Sequence, residues 1–153
     1  MINFINRITN DNIISLNINE IFVFGANKSG FHGAGSARLA LEKFGAIYNQ
    51  GVGLQGQSYA IPTKDYYIRR TLKIEEIKPY VDEFINFAKN NPHLTFLVTK
   101  IGCGLAKIAV EDIAPLFTEA INIENIHLPL SFWNVLIKNE AEVDKIKEAL
   151  KRH

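Results

Sequence analysis

This 153-residue chain has one cysteine, almost no net charge and no apolar run of membrane-spanning length. A lone Cys103 excludes an internal disulfide and a multi-cysteine metal site, and it suits a reducing cytoplasm. Lys and Arg number 17 against 16 Asp and Glu, so the chain as a whole exerts no strong pull on DNA, RNA or an anionic membrane. Any anion site must therefore be local. No segment approaches the ~18 apolar residues of a membrane span. The first residues lack the basic-plus-apolar signature of a signal peptide. Repeats, low-complexity tracts and linkers are also missing. These absences point to a cytoplasmic protein with no membrane partner, folded as a single domain over residues 1–153. A hydrophobic content of 47% is ample for one buried core at this length.

What is present reads as alternating strands and helices. The run "EIFVFGA", Glu20 to Ala26, is β-branched and aromatic and predicts a buried strand. "AGSARLALEKFG" follows with Ala34, Ala37, Leu41 and Phe44 at helical spacing, and Gly45 suits its C-terminal cap. "SYAIPT" predicts a short strand ending near Pro62. "KIEEIKPYVDEFINFAKNN" is the longest helix pattern, with Ile74, Ile77, Val81, Phe84, Ile85 and Ala88 on one face and Pro79 as a candidate kink. "LTFLVTKIG" predicts an almost continuous apolar strand, "AVEDIAPLFTEAI" a helix of three turns, and "NIHLPL" a further strand. "EAEVDKIKEALKRH" predicts an amphipathic C-terminal helix, and "INFINRI" is a candidate edge strand. Trp133 is read as core. The expected fold is α/β: a three-layer α/β/α sandwich with a mixed, mostly parallel sheet.

In open α/β sheets ligands sit outside the carboxyl ends of the strands. Three polar segments follow predicted strands and are expected to share one rim: "GANKSGFHGAGSA", "PTKDYYIRR" and "KIGCGLAK". The glycines at 30, 33 and 35 admit a tight turn, or the close approach of backbone amides to a ligand at a helix start. The spacing favours the ligand. The formal GxGxxG match, Gly51 to Gly56, runs into a strand rather than a helix, which argues against a dinucleotide fingerprint. His32 is expected to be a loop hydrogen-bonder, since no second ligand lies at metal spacing. No metal or cofactor is implied.

These segments together resemble the macro domains, α/β/α modules that bind ADP-ribose. "FGANKSGFHGAGSARLALEKFG" is similar to the macro-domain stretch in which a strand ends in an asparagine motif and a glycine run covers the phosphates. "IGCGLAKIAVEDIAPLFTEAI" and "IPTKDYYIRRTLKIEEI" resemble one branch, the terminal ADP-ribose glycohydrolases and the antitoxin that strips ADP-ribose from DNA bases. That branch spells its second phosphate loop Gly-Cys-Gly and ends a strand in a Thr-Lys whose lysine is catalytic. The resemblance spans roughly residues 20 to 122. It implies a distal-ribose contact from Asn27, one phosphate wall from Gly33, Ala34, Gly35 and Ser36, and a second from Gly102, Cys103, Gly104 and Leu105. Two positions depart from it. Phe24 or Gly25 stands where the family has its first asparagine, and Ala106 stands where the glycohydrolase has a supporting aspartate. Asp11 is the acidic residue at about the distance of the family's adenine contact.

The resemblance gives Lys64 the central role. It implies either amine attack on the anomeric carbon through a covalent sugar adduct, or acid–base assistance to a water. A free lysine has a pKa of about 10.4, so nucleophilic action calls for burial or neighbouring positive charge. Arg69 and Arg70 are candidates for that charge, or for contacts to a nucleic-acid backbone. Asp65 is the candidate stand-in for the missing acid. Tyr66 and Tyr67 either pack on the sheet rim or stack on a nucleobase. Cys103 is read as a packed loop residue, because no histidine base accompanies it. The expected function is removal of ADP-ribose from a modified nucleobase or carboxylate, on nucleic acid or protein. The alternative is a module that binds ADP-ribose or an NAD-derived nucleotide without turnover.

Overall fold

The apolar run at 20–26 becomes the middle strand of a five-stranded sheet. In the computed structural model, which describes residues 3–152, β1 (Glu20–Asn27) is followed by α1 (Gly35–Lys43). A hairpin then joins β2 (Gly53–Gln55) to β3 (Ser58–Lys64). After it come α2 (Ile74–Lys89), β4 (Thr95–Val98), a one-turn α3 (Val110–Ile113), β5 (Ile126–His127) and α4 (Leu130–Lys151). The strand order is β2-β3-β1-β4-β5. The pairings β1–β3, β1–β4 and β4–β5 are parallel, and only β2–β3 is antiparallel, so the sheet is mixed and mostly parallel as expected.

β1 is buried on both faces because its side chains alternate between two cores. Phe22 and Phe24 pack with Ala37, Ala40 and Phe44 under α1. Ile21 and Val23 face the other way, into a larger core with Ile77, Val81, Phe84 and Ile85 of α2, Phe117, and Phe132 and Trp133 of α4. Helices therefore cover both faces of the sheet. Trp133 is fully buried, as read from the sequence, and its indole N–H donates to the Arg7 carbonyl at 2.8 Å.

Several boundaries differ from expectation for physical reasons. β3 runs past Pro62 to Lys64. β2 pairs with it only as far as Ala60, so the proline lies where no ladder bond to β2 is required. α2 continues unbroken through Pro79, which falls on the exposed side of its second turn. The segment "AVEDIAPLFTEAI" is not one helix: α3 gives way to a 3-10 helix over Ala114–Asn122, with Phe117 off helical geometry. Pro115 cannot donate to the carbonyl of Glu111, and the tighter winding begins there. "LTFLVTKIG" is strand only through Val98. The Thr99 hydroxyl and amide then both donate to the Val23 carbonyl, and the chain curls into a loop. "INFINRI" forms a 3-10 turn, Ile5–Arg7, rather than a strand, and meets the sheet edge through the bridge Ile8–Leu128 and the Arg7 side chain on the Ile126 carbonyl. Ile2 and His153, at the ends of two of the sequence readings, lie outside the described residues.

Candidate functional site

The loops after β1, β3 and β4 meet in one cleft of about 540 Å³ at the carboxyl ends of those strands. Of the ten site residues read from the sequence, Asn27, Gly33, Ala34, Gly35, Ser36, Lys64, Gly102, Gly104 and Leu105 line it. Cys103 does not. It packs against the large core, and burial raises its thiol above the ordinary range, with Lys100 opposing. This agrees with its reading as a packed loop residue and leaves it out of the cleft lining. The formal GxGxxG stretch belongs to the β2–β3 hairpin and takes no part in the cleft.

A bulge brings the two named side chains of the rim level with each other. Ala26 pairs with Pro62, but Asn27 pairs with Lys64, so Thr63 is the extra residue of β3. Asn27 is spent on its own loop. Its Oδ1 accepts from the Ser29 hydroxyl at 2.6 Å and the Phe31 amide at 3.0 Å, and its Nδ2 donates to the Phe31 carbonyl at 2.7 Å. The residue thus holds the glycine loop in shape. Gly30 is likewise structural: its φ is +75°, and a Cβ there would stand 2.2 Å from the Gln50 nitrogen. Gly30 therefore serves the turn, and the close-approach reading is left to Gly33 and Gly35. His32 is buried and hydrogen-bonds Gln55 at 3.1 Å, as its reading as a loop hydrogen-bonder expects.

Two walls of main-chain amides face the cleft. No side chain caps the start of α1, and the first-turn amides of Gly35, Ser36 and Ala37 have no intrahelical acceptor. Opposite, Gly102 has φ +78°, and a Cβ on it would press 2.8 Å from the Ile108 side chain. The loop is pinned by the amides of Cys103, Lys107 and Ile108, which donate to the carbonyls of Lys100, Gly104 and Gly102. The amides of Gly102, Gly104 and Leu105 have no acceptor among the described residues. Lys64 and Lys100 also line the cleft, and no carboxylate does.

The acid expected from Asp65 is engaged elsewhere. Its Oδ1 accepts the amides of Arg69 at 2.7 Å and Arg70 at 3.0 Å, which hold its pKa below the ordinary carboxylate range. A carboxylate so held is a poor proton donor. The Arg70 guanidinium is engaged as well; it forks onto Glu76 at 2.8 and 2.9 Å and pulls that carboxyl down to about 2. Tyr66 and Tyr67 are 59% and 71% exposed, so they do not pack into the rim. They meet edge to face, with Arg69 over Tyr67. Asp11 reaches Lys100 at 3.6 Å. Ala106 is buried, and its carbonyl accepts the Thr71 hydroxyl at 2.8 Å, tying the Lys64 loop to the second amide wall.

Sequence reasoning missed the apolar part of the lining, Phe31, Ile68 and Ile101, and also Lys100. Ile68 carries the clearest sign of strain: it is β-branched, yet its φ is +59°. The left-handed region costs an L-residue about 1–2 kcal/mol and glycine nothing. Ile68→Gly is therefore expected to be about 1 kcal/mol more stable than Ile68→Ala, the reverse of the usual order, as read by urea denaturation of the two variants.

No protein-family profile, no curated protein and no solved structure matches this chain.

Proposed function

We propose that the fold is macro-like and that the cleft binds ADP-ribose or a closely related NAD-derived nucleotide. Lys64 is then the group that releases ADP-ribose from a modified nucleobase or carboxylate. The observation that carries the binding reading is the pair of unpartnered amide walls facing a cleft with two lysines and no carboxylate. Pyrophosphate spreads its charge over many oxygens, and main-chain amides at a helix start meet such an anion without burying an opposing side-chain charge. The apolar side chains of Phe31, Ile68 and Leu105 supply surface for the uncharged parts of a nucleotide.

Calorimetric titration with ADP-ribose, with AMP and NAD as controls, tests the reading. A dissociation constant of tens of micromolar or below, about −6 kcal/mol, is expected. Gly104→Asp sharpens the test. A Cβ at Gly104 meets nothing within 4 Å, so the change places a carboxylate in the cleft without a clash. Affinity is expected to fall about 100-fold from like-charge repulsion, with the melting temperature unchanged. Absence of heat at millimolar ADP-ribose, in folded protein, would overturn the proposal.

A second reading, a binding module without turnover, is favoured by the engagement of Asp65 and by Ala106, which leave no free carboxylate in the lining.

A further inference from the structure

α4 is held to the body by its first two turns alone. Phe132, Trp133 and Leu136 are buried, whereas every residue from Lys138 to Arg152 is exposed. The fourteen residues from Lys138 to Lys151 extend about 21 Å as helix. A free helix of that length is marginal in water. Yet the segment carries an apolar seam: Leu136, Val143 and Leu150 recur every seven residues, with Ile146 between the last two. Val143, Ile146 and Leu150 are 47%, 59% and 69% exposed. The buried seam of the helix therefore continues outward without a cover.

The charge along the same segment is divided. After Lys138, Glu140, Glu142 and Asp144 stand together with no cation among them, and Lys145, Lys147, Lys151 and Arg152 follow with only Glu148 of opposite sign. None of these side chains forms an ion pair among the described residues. A helix acidic in its first half and basic in its second is self-complementary when two copies lie antiparallel. In a parallel pair the like halves would face each other.

We propose that this projecting part of α4 docks on the same segment of a second copy of the chain, as an antiparallel helix pair. The seam then closes with Val143 of each copy against Ile146 of the other, and Glu140 of each faces Lys147 of the other across a two-fold axis. Two such short faces bury less than the ~1,200 Å² of a standard interface, so association is weak and concentration-dependent, on the order of 10–100 µM. The cleft lies on other elements, so this pairing stands apart from the nucleotide reading.

Sedimentation velocity of the whole chain from about 5 to 500 µM tests it. A reversible monomer–dimer equilibrium is expected. Ile146→Asp is expected to leave monomer at every concentration while retaining its melting temperature at low protein concentration. Glu140→Lys is expected to weaken association about tenfold or more, and Glu140→Lys combined with Lys147→Glu to restore it. A wild-type chain that stays monomeric throughout overturns the proposal, as does association unaltered by Ile146→Asp. Charge reversal without effect on the dimer overturns the antiparallel arrangement.

Discussion

Lys64→Ala is expected to abolish release of ADP-ribose, about 1,000-fold or more in single-turnover rate, while changing the affinity for free ADP-ribose by no more than about threefold. Binding and chemistry are separate jobs within one cleft. In the proposed function, binding rests on main-chain amides of the α1 start and of the Gly102–Leu105 loop, which an alanine at 64 leaves in place. The chemical step has fewer resources. Asp65 is turned onto the amides of Arg69 and Arg70, and residue 106 is alanine, so Lys64 and Lys100 are the ionisable side chains of the lining. Loss of a nucleophile or an acid–base group accounts for the expected magnitude. Lys64→Arg distinguishes chemistry from charge: guanidinium keeps the cation but is no nucleophile, so turnover is expected to stay lost. The substrates are an ADP-ribosylated oligonucleotide and an ADP-ribosylated protein carboxylate, with released ADP-ribose as the readout. Binding by the wild type with no release from either substrate would favour the module without turnover. Turnover persisting in Lys64→Ala would make Lys64 a bystander.

The site was legible in the sequence wherever main chain makes it. Glycines at 33, 102 and 104 in loops after apolar strands, and Gly35 at the start of α1, signal amides that carry no side chain of their own, and all four line the cleft. Side-chain partners were not legible, even those four to six residues away. Nothing in the spelling "TKDYYIRR" says that Asp65 folds back on Arg69 and Arg70, or that Arg70 forks onto Glu76 at the start of α2. The same turn holds Ile68 in a left-handed conformation that a β-branched residue disfavours, which no sequence pattern announces. Asn27 shows the same limit: its type fits ribose recognition, but its amide is committed to Ser29 and Phe31.

In the fold, long periodic segments declared themselves and short ones did not. α2 has five buried positions at helical spacing, which a one-dimensional pattern captures. β2 is three residues long with one side chain buried, too short for alternation to register. The first half of α4, Leu130 to Asn139, is apolar on most sides because it docks in the core, so no amphipathic period marks it as helix.

The N-terminal segment shows most sharply what a strand-or-helix reading leaves out, and it yields the largest expected loss of stability. Arg7 sits on a 3-10 turn, and its guanidinium donates to the carbonyls of Ala120 at 2.6 Å, Ile121 at 2.8 Å, Ile123 at 2.7 Å and Ile126 at 2.9 Å. Its plane also lies 4.9 Å from the Trp133 ring centre. These carbonyls lie at the end of the 3-10 helix and in β5; those of Ala120 and Ile123 also accept the main-chain amides of Ile123 and Ile126, so Arg7 ties the helix end to the strand. Partial burial pulls the Arg7 pKa below its ordinary value, opposed by Glu124, yet a guanidinium stays charged at neutral pH. Arg7→Ala removes the donors and leaves the acceptors, the costly direction for these partly buried contacts to a charged group. A loss of about 3–5 kcal/mol is expected, seen as a lower urea midpoint at constant slope and a melting temperature lower by roughly 8–15 °C. Arg7→Lys is expected to recover less than half of it, since an ammonium is a single point and cannot reach carbonyls fanned around a planar fork. Arg7 takes no part in the cleft, so ADP-ribose affinity in the folded fraction is expected to be unchanged. Equal stability of Arg7→Ala and the wild type would mean that the 3-10 helix end is satisfied by water, and that residues 3–9 decorate the sheet edge without holding it.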